Sequence, residues 1–237
     1  MSVPRGGPEP VRNRLLALLP QADRARLLAD TEPVELRARQ VLFEQGEPVR
    51  HVYFPLGGLC SLAVVMGDGR AVEASVVGTD GLVGLPVVLG AERSLAEAMC
   101  HVPDGALRMP AAALRCHLAE RAAVRDVLLR FAVALLAQTL HNAACNRLHD
   151  VAPRLARWLL MAQDRVAADE LPLTHELLAA MLGVRRATVS VAAEVLQARS
   201  LIRYHRGSLA IADRAGLEAA ACEDYRAVRD EYARLLG

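Results

Sequence analysis

The stretch THELLAAMLGVRRATVSVAAEVL, residues 174–196, predicts the fold of the C-terminal part of the chain. Thr174 is a residue type that caps helix N-termini, and Gly183 stands where the first helix would end in a left-handed conformation. A second helix is predicted from about Arg185 onward. Small and apolar residues have the spacing that lets two short helices cross closely, namely Leu178, Ala179, Leu182, Val184, Val189 and Ala192. The stretch therefore predicts a helix-turn-helix, with a purely structural αα-hairpin as the alternative on these residues alone.

Two features favour the helix-turn-helix over that alternative. The sequence SLIRYHRGSLAIAD, residues 200–213, predicts two short strands around Arg206 and Gly207, which would form a β-hairpin wing. Residues 174–210 contain five arginines and two glutamates, a local formal charge of +3. Proteins that bind DNA need such a basic surface because contacts with phosphates supply much of the affinity. We therefore predict that this segment binds double-stranded DNA.

The start of the second helix supplies the candidates for base contacts, because a recognition helix enters the major groove with its N-terminus first. Arg185 and Arg186 lie there, and a bidentate bond from Arg to guanine is the commonest specific contact. Thr188 and Ser190 could reach phosphates or bases. For each single residue, the alternative is a side chain that is exposed to solvent and makes no contact with DNA. The residues that we expect at the DNA backbone instead are Thr174, His175, His205 and Arg206.

Composition and cysteine usage narrow the class and compartment of the protein. The 237 residues are 53% hydrophobic, but no stretch reaches the roughly 18 uninterrupted apolar residues that a bilayer requires. The first ten residues, MSVPRGGPEP, lack the apolar core of a signal peptide. The five cysteines are odd in number and have no close paired spacing, which fits reduced thiols. We therefore expect a cytoplasmic protein that does not associate with membranes.

The N-terminal half has the residue pattern of an all-β domain. Residues 11–29 predict one or two short leucine-rich helices. Between residues 33 and 110, short runs rich in Val, Leu and aromatics alternate with Gly, Pro and Asp, which is typical of a sandwich or barrel. The sequence GDGR at 67–70 predicts a hairpin turn.

Residues 111–149 contain neither Pro nor Gly, and their apolar pattern predicts helix. One stripe comprises Val124, Leu128, Phe131 and Leu135, and a second comprises Leu129, Val133, Leu136 and Leu140. A helix that is apolar on two faces has two partners, so we expect one face on the β domain and the other on a second copy of the chain. A helix fully enclosed within a monomer is the alternative.

The order of these parts resembles the Crp/Fnr family of bacterial regulators over about residues 33–212. The motifs that carry the resemblance are EQGEPVRHVYFPLGGLCSL (44–62), GDGR, GTDGLVG (78–84), LTHELLAAMLGVRRATVS (173–190) and LIRYHRGSLAI (201–211). The resemblance implies an α+β fold with a cupin-like jelly-roll β-barrel sensor domain, a long dimerisation helix and a C-terminal winged helix-turn-helix. It also implies a homodimer on a near-palindromic operator, contact with RNA polymerase, and regulation of transcription rather than catalysis.

The resemblance divides the chain into four parts. Residues 1–30 form a leader with short helices, and residues 31–122 form the cyclic-nucleotide-binding-like barrel. Residues 123–150 form the dimerisation helix, and residues 151–237 form the winged helix-turn-helix domain, with a tail helix that packs on it. The segment from Asp150 to Pro153 breaks the helix, and we hypothesise that it transmits an effector signal to the recognition helices.

The candidate effector site departs from the family's phosphate-binding cassette. Nucleotide-binding relatives carry Gly-Glu, whereas here Gly84 is followed by Leu85, which cannot accept a hydrogen bond from a ribose hydroxyl. Pro86 removes a backbone donor. Arg93 and Ser94 fall where the family's phosphate-binding Arg and Ser lie. We therefore expect an unidentified effector in the barrel, or constitutive action, with activation by cyclic AMP or cyclic GMP as the alternative.

No cofactor and no metal are expected. The iron–sulfur branch of the family uses clustered cysteines near the N-terminus, and here the first cysteine is Cys60. His141, Cys145 and His149 lie close to one helical face, so a metal or haem is conceivable, as it is for adjacent Cys100 and His101, but polar positions near a helix end are the simpler interpretation.

A ligand-binding module or enzyme with a structural helical cap is the remote alternative from another class. The sequence contains no phosphate-binding glycine loop and no HExxH zinc motif. Glu73 and Asp80 could be paired as acids, but we expect them to be surface charges.

Overall fold

The computed structural model describes residues 12–166, 168, 170–205 and 207–237. The N-terminal helices are α1 (Arg14–Ala17), α2 (Gln21–Ala29) and α3 (Leu85–Val88). The strands of this half are β1 (Glu32–Leu36), β2 (Val41–Phe43), β3 (His51–Pro55), β4 (Leu59–Val65), β5 (Ala71–Val77), β6 (Glu97–Val102) and β7 (Asp104–Pro110). The helices and strands that follow are α4 (Ala111–Glu120), α5 (Ala122–Leu148), α6 (Val151–Gln163), β8 (Glu170–Leu171), α7 (His175–Leu182), α8 (Arg186–Ala198), β9 (Ile202–His205), β10 (Ser208–Ile211), α9 (Arg214–Ala220) and α10 (Asp224–Leu236).

The N-terminal domain is built from two antiparallel sheets, with strand orders β1-β7-β3 and β2-β6-β4-β5. Apolar side chains from both sheets share one buried core, which includes Phe54 and Met109 from the first sheet and Cys60 and Cys100 from the second. The predicted turn at 67–70 joins β4 to β5, and Gly69 adopts the positive φ of +83° that this turn requires. The predicted β domain is thus confirmed.

The predicted helix over 111–149 is interrupted once. Arg121 has an extended backbone, with φ −129° and ψ 102°, so α4 ends before it and α5 begins after it. The stripe that includes Phe131 and Leu135 is buried against the β domain, as predicted. The second stripe is exposed in the single chain, with Leu129 at 39% and Leu140 at 62%.

Two amide side chains on α5 bond to the backbone of β5, which lies at the edge of its sheet. Gln138 Nε2 donates to the carbonyl of Val76 at 3.1 Å, and Asn142 Nδ2 donates to the carbonyl of Ala74 at 2.8 Å. Edge strands leave backbone groups without sheet partners, and these bonds satisfy two of them. The bonds also fix the position of the long helix along the strand.

The C-terminal domain packs directly on β5 through α7, and a residue of α6 bonds to the same strand. Trp158 Nε1 donates to Glu73 Oε1 at 2.8 Å, and Arg165 Nε lies 3.0 Å from Asp80 Oδ2. The expectation that Glu73 and Asp80 are surface charges is therefore wrong, since both are buried. The sequence shows no sign of this because their partners lie some 85 residues away in the chain.

The C-terminal tail forms two helices rather than one, and only the first of them packs mainly on the winged helix-turn-helix domain, as we expected of the whole tail. α9 packs on α6, whereas α10 packs mainly on α5. The apolar side of α10 explains this choice: Tyr225 and Val228 are buried, and the Tyr232 hydroxyl donates to Gln138 Oε1 at 3.2 Å. The tail therefore connects the DNA-binding half to the long helix.

In the part of the chain that the structure describes, no helix is both long enough and apolar enough to cross a membrane.

The buried carboxyl of Glu73 makes the domain contact sensitive to pH. Burial raises its pKa from 4.5 to about 8, while the Trp158 bond and nearby arginines oppose the rise. The folded state therefore binds the proton more tightly than the unfolded state. Its stabilising effect is complete below about pH 4.5 and is lost as the pH rises through about 8.

We predict that Glu73→Gln, which keeps the acceptor for Trp158 and cannot ionise, flattens the pH dependence of thermal unfolding. One unit of pKa corresponds to about 1.4 kcal/mol, so between about pH 5 and pH 8 the wild type loses on the order of a few kcal/mol relative to the variant. Parallel melting-temperature profiles for the two proteins would contradict this.

Candidate nucleic-acid interface

The first helix of the predicted motif has both of its predicted ends. Thr174 Oγ1 accepts a hydrogen bond from the amide of Leu177 at 3.1 Å, which is the N-cap bond. Gly183 closes the helix in the left-handed conformation, with φ +64°. The amide of Val184 then donates to the carbonyl of Ala179 at 3.0 Å. The turn between α7 and α8 is therefore short and fixed.

The recognition helix α8 begins at Arg186, with Arg185 as its N-cap. Its inner face is buried against α6 and α7 through Val189, Ala192, Ala193 and Leu196. Its first turn presents Arg185, Arg186 and Thr188 to solvent. The structure thus brings three of the predicted base-contact candidates together at the exposed start of one helix, where major-groove contacts are made.

Ser190 and His175 lie differently from the exposed arginines, because they bond to each other. His175 Nδ1 lies 2.9 Å from Ser190 Oγ, and this hydroxyl donates to the carbonyl of Arg186 at 3.2 Å. Since the hydroxyl proton is used there, Nδ1 carries the proton that completes the pair. The His175 ring also lies against Tyr204, with 4.5 Å between ring centroids. His175 therefore holds α7, α8 and the wing together.

Burial and the positive charge of Arg186 lower the pKa of His175 below its ordinary value. The ring is accordingly neutral at physiological pH, and it contributes no charge to the DNA-facing surface.

The wing lies beside the start of α7. Strand β10 pairs with both β9 and β8 in a three-stranded sheet. His205 ends β9 and is exposed, as is Thr174. A Cβ added at Gly207 would lie 3.9 Å from Thr174 Cγ2, so the wing turn and the helix N-terminus are neighbours. Arg206, the remaining predicted backbone contact, lies outside the described residues.

Sequence reasoning missed two apolar residues on the outer face of α8. Val191 is 61% exposed and Val195 is 46% exposed, one helical turn apart. Apolar side chains on a recognition helix can contact the methyl group of thymine. The sequence could have predicted this exposure, because the spacing places Val191 and Val195 on the side of the helix opposite the apolar Val189 and Ala192.

Each of the three predicted effector residues contacts its own part of the β domain. Gly84 has φ +115° and precedes α3, and a Cβ there would lie 2.7 Å from Val52 Cγ1. Arg93 is exposed, and its Nη1 donates to the carbonyl of Gly46 at 2.8 Å. Ser94 is buried, and its hydroxyl donates to the carbonyl of Ala96 at 2.5 Å. Both polar side chains are thus occupied by nearby backbone carbonyls.

Two family models match this chain. The model of the cyclic nucleotide-binding domain matches residues 33–120, and that of the Crp-like helix-turn-helix domain matches residues 153–220. The first covers both sheets and α4, and the second covers the region from α6 to α9.

A relative of described function and solved structures agree with this organisation. The CRP-like cAMP-activated global transcriptional regulator of Mycobacterium tuberculosis is 28% identical over 196 residues, which are 80% of this chain and 88% of the relative. FixK2 from Bradyrhizobium japonicum shares the fold, with a TM-score of 0.70 at 17% identity over 81% of this chain and 98% of that one. The c-di-GMP responsive global regulator CLP of Xanthomonas campestris has a TM-score of 0.65 at 17% identity, over 81% and 99% of the two chains.

The cyclic nucleotide-binding domain precedes the helix-turn-helix domain, and one long helix joins them. The second helix of the helix-turn-helix, α8, has a basic, exposed N-terminus. With a cyclic nucleotide-binding domain followed by a Crp-like helix-turn-helix domain, the chain is a DNA-binding transcription regulator of the Crp/Fnr type rather than an enzyme.

Proposed function

We propose that the protein acts as a homodimer that binds a near-palindromic operator and does not require a cyclic nucleotide to do so. The observation that carries the dimer is the exposed stripe of Leu129, Val133, Leu136 and Leu140 on α5. The opposite face of the same helix is buried on the β domain, so the stripe has no partner within the described part of the chain.

A second copy of α5 is the occupant that fits this stripe. The four residues recur at alternating three- and four-residue spacing, which is the pattern of a two-helix seam. Pairing the two long helices would make a twofold dimer, with one recognition helix on each side of the axis. An operator with half-sites one helical turn apart, about 34 Å, would then be read by both helices.

Base recognition in this proposal falls to the exposed start of α8. Arg185 and Arg186 supply donors for guanine or phosphate, Thr188 supplies a hydroxyl, and Val191 supplies an apolar contact. Thr174 and His205 lie where the helix N-terminus and the wing would meet the DNA backbone. Contact with RNA polymerase is part of the proposal through the family alone.

The residues at the phosphate-binding cassette support the proposal that operator binding does not require a cyclic nucleotide. Leu85 stands beside Gly84 and offers no acceptor to a ribose hydroxyl, while Arg93 and Ser94 bond to backbone carbonyls of their own domain. The Mycobacterium relative is cAMP-activated by name and the Xanthomonas regulator is c-di-GMP responsive. The effector therefore varies among proteins of this fold, and an unidentified effector in the barrel, or none, fits this chain better than cyclic AMP.

For the dimer, we predict that Leu136→Glu produces a monomer in analytical ultracentrifugation and weakens operator binding by roughly 100-fold, because the two half-sites are no longer bound together. Leu89→Glu is the matched control, since Leu89 at the end of α3 is 57% exposed and Leu136 is 58% exposed. A Leu136→Glu protein that stays dimeric would rule out this interface.

For base recognition, we predict that Arg186→Ala lowers operator affinity by roughly 5- to 150-fold, since a base contact contributes about 1–3 kcal/mol. Arg199→Ala at the opposite end of α8 is the control and should change affinity little. The measurement is fluorescence anisotropy at several salt concentrations. Equal losses for the two variants would mean that the start of α8 has no special role.

For the effector, we predict that cyclic AMP added to the purified protein gives no saturable heat in isothermal titration calorimetry and leaves operator affinity unchanged. The physical reason is that a ribose hydroxyl buried beside Leu85 would lose its hydrogen-bond partner, which costs about 1–3 kcal/mol. Micromolar binding that also tightens the operator complex would show that the cyclic-nucleotide alternative is right.

A further inference from the structure

The C-terminal end of α5 and the junction of α9 with α10 bring four metal-ligating side chains together. Cys145 lies on α5 and His149 directly follows it, whereas Cys222 lies between α9 and α10 and Asp224 begins α10. The ligand atoms of the four residues all lie within 4.8 Å of one another. The sequence separates the two pairs by more than 70 residues, so only the packing of α10 on α5 creates the cluster.

We propose that these four residues form a binding site for a divalent transition-metal ion of the zinc class. Two cysteine sulfurs, one histidine nitrogen and one carboxylate oxygen make a four-ligand set that suits tetrahedral Zn²⁺. In such a site the two sulfurs would lie roughly 3.7 Å apart. Here the Cys145 and Cys222 sulfurs are 3.3 Å apart, so a small outward movement of each completes the geometry.

The buried atoms without hydrogen-bond partners favour a metal over a simple thiol pair. His149 Nδ1 and Asp224 Oδ2 are both buried and lack a partner among the described residues, although they lie 3.2 Å from each other. A buried polar atom without a partner is costly. A disulfide between the two cysteines would leave His149 Nδ1 and Asp224 Oδ2 without a partner. One cation would bind both of these atoms and the two sulfurs.

The surrounding residues hold the ligands in position by hydrogen bonds, as the neighbours of metal ligands do in metal sites. His149 Nε2, on the other side of the ring from Nδ1, lies 3.2 Å from the carboxylate of Glu223. His141 Nδ1 lies 2.6 Å from Asp224 Oδ1, the oxygen that the cation would not use. Ligating histidines commonly donate their second N–H to a carboxylate, and ligating carboxylates are hydrogen-bonded in turn.

Two buried arginines balance the charge of the site. With two thiolates, one carboxylate and a divalent cation, the site would carry a net charge of −1. The guanidinium groups of Arg154 and Arg157 on α6 are buried and act electrostatically on both thiols. Their Nε atoms have no hydrogen-bond partner in the described part of the chain. An anionic centre beside them is therefore favourable.

Both cysteines bind a divalent cation as thiolates, so the two thiols lose their protons when the ion binds. Binding the cation forms two metal–sulfur bonds, one metal–nitrogen bond and one metal–oxygen bond. The thiol protons pass to the buffer, and no electron is transferred.

The position of the site gives it a role in holding the two halves of the molecule. His149 lies in the break between α5 and α6, and Cys222 precedes α10. The bound cation would tie the C-terminal helix to the end of the long helix and stabilise this arrangement of the domains.

The test is a Co²⁺ titration of the full-length protein, reduced with a phosphine and freed of metal by dialysis against a chelator. We predict intense visible bands of tetrahedral cobalt and thiolate-to-cobalt charge-transfer bands, which saturate at about one equivalent per chain and are displaced by Zn²⁺. Zn²⁺ should also raise the melting temperature.

Cys222→Ser should lose the charge-transfer intensity and the thermal shift, and so should the milder His149→Gln if circular dichroism shows that Cys222→Ser does not fold. Cys116→Ser is the control, because Cys116 is exposed on α4 and remote in sequence from the site. A folded, reduced wild type without cobalt–thiolate bands would overturn the proposal. So would bands that survive both variants, or a protein that forms the Cys145–Cys222 disulfide in air and takes up no cobalt when reduced.

Discussion

The structure depends on one polar stripe along the long helix α5. Gln138 and Asn142 donate to carbonyls of the edge strand β5 and accept from arginines of the C-terminal domain. Arg165 Nη2, just after α6, lies 2.9 Å from Gln138 Oε1, and Arg157 on α6 bonds to Asn142 Oδ1. Each amide therefore joins the N-terminal domain to the C-terminal domain through the same side chain. Because both amides are buried, losing either partner would leave a polar group unpaired, which is strongly unfavourable.

This stripe explains why the two domains sit closely together and do not hang on a free hinge. The helix is interrupted at His149 and Asp150, and α6 begins at the next residue. Trp158 then holds α6 against Glu73 of β5, and Arg154 holds α6 against the carbonyl of Leu182 at the end of α7. Arg165, just after α6, pairs with Asp80, just after β5. A signal that changes the position of α5 would thus reach α8 through rigid contacts, which refines the hypothesis of a simple hinge.

Local pattern predicted most of the fold, because it determines helices, turns and exposed faces. The cap at Thr174, the left-handed Gly183 and the buried stripe of α5 all follow from residue type and spacing. The sequence did not predict the buried role of Glu73 or the path of α10, since both depend on partners distant in the chain. The same is true of the candidate metal cluster: His141, Cys145 and His149 share a helical face, but Cys222 and Asp224 join them only through tertiary packing.

We propose that this chain is a sequence-specific DNA-binding regulator that works without a cyclic nucleotide. Selection of genomic fragments by the purified protein, with no added effector and at two salt concentrations, tests it most directly. We predict enrichment of one near-palindromic sequence and a steep loss of binding as salt increases, because phosphate contacts contribute much of the affinity. Enrichment that appears only when cyclic AMP is added would contradict it.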